Sequence, residues 1–149
     1  MKQIESKIGM RIIEIIFLVL LGIPRIILHD LSLIEKGTFI NLLLVFVPIL
    51  VWIVYILFRN DKAPVLSIFI LCLLYGVILA VTHQLLWTHS FPGYIQLGGN
   101  LSGLSGGLST FIARSFAFIS SLMTGALIGL ILSVITWALS KVKKLYIRG

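Results

Sequence analysis

The chain has 149 residues, of which 59% are hydrophobic and only 11% charged, with a mean hydropathy of +1.14. Ordinary soluble domains carry about a quarter of their residues as charges, so the composition excludes that class and defines an integral membrane protein. The formal net charge of +7 raises nucleic acid as a partner. That class is set aside, because no basic patch is interleaved with aromatics and basic residues flank membrane spans for a different reason.

Four apolar runs follow one another, and they predict an all-α, polytopic, four-helix membrane bundle in one domain. The first covers residues 12–28, after a leader holding Lys2, Lys7 and Arg11. Glu14 interrupts its apolar core, and Pro24-Arg25 stands where a signal peptide would carry small cleavage-site residues, so the run reads as a retained span. Glu14 and Arg25 share a stripe with Leu18 and Gly22, and are about 16 Å apart along a helix, too far to pair. Glu14 is expected to pair with Arg11 or with a basic residue of the C-terminal tail. The stripe should face the bundle interior, because charge facing lipid at mid-membrane costs about 2.5–3.5 kcal/mol.

The second run, residues 38–58, contains Asn41, Pro48 and Trp52. Pro24 and Pro48 are expected to kink their helices, and Trp52 is expected to pack internally. The third run, residues 64–87, carries the lone cysteine, Cys72. One cysteine forms no intrachain disulfide and, buried, behaves as a small hydrophobe.

Residues 88–110 contain six glycines and no Lys, Arg, Asp or Glu. They lack the GK[ST] signature of a phosphate-binding loop. Leu97, Leu101, Leu104 and Leu108 recur at helical spacing, so this connection is expected to be an amphipathic or re-entrant segment, with a flexible linker as the alternative. Asn100-Leu101-Ser102 has the form of a glycosylation acceptor, relevant only in a eukaryotic secretory pathway.

The fourth run, residues 111–139, repeats small residues every four positions: Ala113, Ala117, Ser121, Gly125, Gly129 and Ser133. Small residues let membrane helices approach closely, which assigns Ala117, Ser121, Gly125 and Gly129 to helix packing. The packing lies within one chain or, alternatively, between copies in a homo-oligomer or with another membrane protein.

Lysine and arginine counts set the orientation. Nine lie in the leader, the connection between spans two and three, and the tail: Lys2, Lys7, Arg11, Arg59, Lys62, Lys141, Lys143, Lys144 and Arg148. The other two connections hold only Lys36. Both termini are therefore expected in the cytoplasm. Trp87 and Tyr94 would mark the outer interface, and Trp137 and Tyr146 the inner one. The basic tail also suits anionic lipid.

With this topology Arg25, Asn41, His83, Gln84 and Arg114 fall at one depth, about a turn beneath the outer face, with His29 just above. Guanidinium groups recognise carboxylate or phosphate through paired hydrogen bonds, so these six residues suggest a site for an anionic lipid headgroup or small anionic solute, in a transport-related subunit. Membrane lipid is the expected partner. The alternatives are interfacial pairing alone, Arg25 with Asp30 and Arg114 with Glu35, in a non-catalytic or channel-like assembly, and a lipid-modifying enzyme. For the last, His83, Thr82 and Asp30 offer a base, a nucleophile and an orienting acid, although their spacing matches no motif. His29, His83 and His89 lack the HxxxH or HExxH spacing of a metal site. No motif calls for a cofactor.

Overall fold

The computed structural model describes residues 10–35, 37–59, 63–93 and 95–148. Among these residues all regular structure is helical, with no strand. The helices are α1 (Ile12–Leu20), α2 (Ile23–Asp30), α3 (Phe39–Phe58), α4 (Pro64–Leu85), the one-turn α5 (Trp87–Ser90) and α6 (Gly106–Arg148), with a 3₁₀ turn at Gly99–Leu101. Four stretches are long and apolar enough to cross a membrane: α1 with α2, α3, α4 and α6. Their outward faces carry exposed Phe17, Phe46, Leu50, Phe116, Ile131 and Val134. So broad an apolar surface needs a nonpolar surround.

The first span is two helices rather than one. Proline at 24 has no N–H for the Leu20 carbonyl, and the helix opens one turn before it, at Leu21 and Gly22. The amides of Leu21 and Gly22 reach back three residues, to Leu18 at 3.2 Å and Val19 at 3.0 Å. Trp52 Nε1 of α3 donates to the same Leu18 carbonyl at 2.7 Å. Trp52 is thus buried as expected, but as a hydrogen-bonding partner of the break as well as a packing group. Gly22 lies against the Tyr75 ring, where a Cβ would come within 2.5 Å of Cε2.

The central pair is α4 with α6. Gly76 and Gly125 bring the two backbones together, and a Cβ built on Gly125 would meet Gly76 Cα at 2.6 Å and the Cys72 carbonyl oxygen at 2.7 Å. Gly129 faces Phe69 and Cys72. Ser121 is buried and returns its hydroxyl to the Ala117 carbonyl at 2.8 Å, while Ala117 borders a cavity. The approach of Gly125 and Gly129 is therefore within one chain.

The fourth helix outruns the expected 111–139, because nothing breaks it. No proline follows Pro92, and basic residues near its C-terminus suit the helix dipole. At 43 residues it measures about 65 Å, roughly twice the ~30 Å hydrocarbon core. Arg114 meets Gln84 near the C-terminus of α4, and the Ser133 hydroxyl donates to the Val65 carbonyl near its N-terminus at 3.2 Å. Residues 114–133 therefore run antiparallel to α4, and both ends of α6 continue past it. The leucine-spaced segment is not a continuous helix: Gly99 takes φ +60°, and helix resumes only at Gly106.

Candidate functional site

Asp30 ends α2. The helix stops there because Ser32 adopts φ 56°. The Ser32 amide then bonds His29 O at 3.0 Å, and the Leu33 amide bonds Leu28 O at 2.9 Å. This reciprocal pattern is a Schellman motif, normally made with glycine at the left-handed position. It turns the chain away and leaves the Asp30 carboxylate facing inward, only 5% exposed. Ser90 of α5 donates to the Asp30 carbonyl at 3.1 Å, tying the turn after α4 to the end of α2.

Across this junction His83 Nδ1 lies 2.5 Å from Asp30 Oδ2, and His29 Nδ1 lies 3.4 Å from Oδ1. An ionised carboxylate only accepts hydrogen bonds, which places the proton of a neutral His83 on Nδ1. Nε2 is left as an acceptor, and it has no hydrogen-bond partner among the described residues. A buried carboxylate is costly unless paired, and the two imidazoles supply that pairing.

The pair borders an open cavity of about 730 Å³. Glu35, Ser90, Ser120 and Ser121 also line it, with Trp87 and Phe91 as an aromatic wall whose rings lie 4.8 Å apart. No lysine or arginine is among the lining residues described, and no residue between 95 and 105 lines it.

The six residues of the expected site separate into four environments. His29 and His83 join Asp30. Arg114 and Gln84 form their own clasp: Arg114 Nε donates to Gln84 Oε1 at 2.9 Å, Nη2 donates to Gln84 O at 2.9 Å, and Gln84 Nε2 donates to Arg114 O at 3.0 Å. The Arg114 guanidinium also sits 5.5 Å from the centre of the Trp87 ring. With Phe111, Phe118 and Ile119 this clasp lines a second, largely apolar groove.

Arg25 turns toward the middle of the bundle, sharing a cavity of about 230 Å³ with Pro48, Trp52, Tyr75 and Thr124; its Nε is buried without a hydrogen-bond partner. Asn41 sits in the first turn of α3, its amide bonded to the Thr38 hydroxyl at 3.3 Å. The Asn41 side chain is buried with Oδ1 unpartnered.

Neither interfacial pair forms, since Arg25 does not meet Asp30 and Arg114 does not meet Glu35. Glu14 pairs with Arg11 at 3.2 Å, as one option had it, and its second partner is Arg59 at the end of α3 rather than the tail. Among the described residues no three His, Cys, Asp or Glu side chains group as metal ligands. Ser90, Ser120 and Ser121 were not in the expected site, and Asp30 entered it only as the acid orienting His83 in the enzymatic alternative. Asp30 was the legible one, as an acid at the very end of an apolar run.

Fold and cavity together define a class: an all-helical protein with four helices able to cross a membrane and an acid–imidazole pair at one end of the bundle. No protein-family model, curated protein or solved structure matches the chain.

Proposed function

We propose that this protein binds a polar lipid headgroup or amphipathic solute in the Asp30–His83 cavity, as a binding or transport-related component. The carrying observation is the 2.5 Å contact between His83 Nδ1 and a 5%-exposed Asp30 beside an open cavity. The cavity is lined by His83 and Glu35, side chains able to accept hydrogen bonds, together with serine hydroxyls and an aromatic wall. Those groups favour a ligand with hydroxyl or ammonium donors and an apolar portion. The lysine and arginine distribution favours cytoplasmic termini, which puts the cavity at the outer face. The anionic ligand suggested by the arginines has its best support at the Arg114 groove, where one guanidinium borders apolar side chains.

The test is native mass spectrometry of protein released directly from its own membranes. Asp30→Asn and His83→Gln should lose a mass adduct that wild type and Arg114→Ala retain. An adduct unchanged in both site variants would defeat the assignment.

A second reading has its own support. An imidazole oriented by a carboxylate is the arrangement of a general base, and Ser120 and Ser121 border the same cavity. If the protein is a lipid-modifying enzyme, Ser120→Ala or Ser121→Ala should abolish turnover of a headgroup ester while leaving adduct formation intact. A pure binder should turn over no such ester.

A further inference from the structure

At the opposite end of the bundle, the long helix α6 creates a feature that the cavity does not explain. Pro64 begins α4, whereas α6 continues fifteen residues beyond Ser133, where the two helices are still hydrogen-bonded. Between the two helices here lies a groove of about 570 Å³. Its apolar part is Leu66 and Phe69 from α4 and Leu130 and Trp137 from α6, and Lys141 and Lys144 also line it.

Positions 130, 137, 141 and 144 fall on one helix face by the 3.6-residue repeat. Lys143 lies off that face: it donates to the Leu57 carbonyl and sits 6.0 Å from the centre of the Phe58 ring. Lys141 and Lys144 are exposed and meet no carboxylate among the described residues. Glu14, the described acid at this end, is taken by Arg11 and Arg59.

We infer that this groove holds an anionic phospholipid, one acyl chain lying between α4 and α6 and the phosphate resting on Lys141 and Lys144. Charge and length both support that occupant. Two ammonium groups beside an apolar trough match an anionic headgroup joined to a chain, whereas a free phosphate leaves the trough empty. From Leu130 to Lys141 is about 16 Å along the helix, close to half of a ~30 Å hydrocarbon core. The ammonium groups therefore sit at headgroup level while the trough runs to mid-membrane. Trp137 stands between the two parts, as aromatic residues do at membrane interfaces.

The full chain, reconstituted in phosphatidylcholine vesicles, tests this with brominated lipids as fluorescence quenchers. One set carries a small fraction of brominated phosphatidylglycerol, the other the same fraction of brominated phosphatidylcholine. The Trp137 signal is the difference between wild type and Trp137→Phe. A lysine near the surface is worth about fivefold in anionic-lipid preference, so two give about thirtyfold. Quenching of Trp137 should therefore be far stronger with the anionic quencher.

In Lys141→Gln/Lys144→Gln the two quenchers should become equal within about twofold, while Lys143→Gln keeps the preference. Equal quenching in wild type overturns the assignment without any variant. A preference that survives in the double variant overturns the role of the two lysines.

Discussion

The backbone-to-backbone approach of α4 and α6 makes the sharpest demand on a substitution. A methyl group on Gly125 would lie 2.6 Å from Gly76 Cα, 2.7 Å from the Cys72 carbonyl oxygen and 3.0 Å from the Gly76 amide nitrogen. All three are backbone atoms of α4, so no side chain can swing away and the helices themselves must separate. Overpacking typically costs about 1–3 kcal/mol, and rigid backbone on every side places Gly125→Ala in the upper part of that range. Alanine recovers about 0.8–1 kcal/mol of intrinsic helix preference, which leaves a net loss of roughly 1–2 kcal/mol.

Gly129→Ala is the internal control. Its methyl would meet Phe69 Cδ2 at 3.0 Å, on a ring that can tilt away, and Cys72 Cβ at 3.1 Å, a looser contact than any at Gly125, so its two terms should nearly cancel. Unfolding in mixed micelles of increasing sodium dodecyl sulfate fraction, followed by circular dichroism, measures both. The loss at Gly125 should not depend on protein concentration, because both partners belong to one chain. Equal stability of the two variants would refute the close approach. A concentration-dependent loss would move the contact to an interface between copies.

Three further outcomes follow from local geometry. Trp52→Phe keeps most of the packing but removes the donor to Leu18 O; that carbonyl keeps the Leu21 amide, so the loss should be that of one hydrogen bond, about 0.5–1.5 kcal/mol, in the same unfolding titration. Ser32→Gly relieves a left-handed serine and should raise stability by up to about 1 kcal/mol, with unchanged secondary structure by circular dichroism. Arg114→Ala removes both of its donations to Gln84 and should lower the melting temperature, whereas Arg114→Lys should recover only part of the loss, because an ammonium does not reproduce the planar fork.

Much of the fold was legible because long apolar runs carry their own length scale. The centres of all four spans could be placed from that alone. Their ends were less legible. Whether a helix stops at residue 139 or continues to 148 depends on whether anything terminates it, and lysine and leucine are good helix formers in water as well as in a membrane.

The split of the first span was anticipated as a kink at Pro24. Its position at Leu21–Gly22 depends on Trp52 and Tyr75, which are distant in sequence. Rotation about the helix axis was not readable. Arg25 and His29 share a helical face by spacing, yet Arg25 lines the mid-bundle cavity with Tyr75 while His29 reaches the carboxylate of Asp30. Long side chains extend up or down from their Cα, so residues at one depth need not share a site. The Asp30–His83 pair, 53 positions apart, depended on which helices became neighbours.

Occupancy of the cavity at His83 is the most direct test of the proposed function. Diethyl pyrocarbonate adds to an unprotonated imidazole nitrogen. With Nδ1 held against Asp30, the reactive atom of His83 is Nε2, the one available to a ligand. Delipidated protein should be labelled at His83, as read by peptide mass spectrometry. Adding back lipids extracted from its own membranes should protect His83, while His89, which is exposed and lies outside the described cavity lining, stays labelled. Labelling of His83 that is identical with and without those lipids would contradict a ligand in the Asp30–His83 cavity.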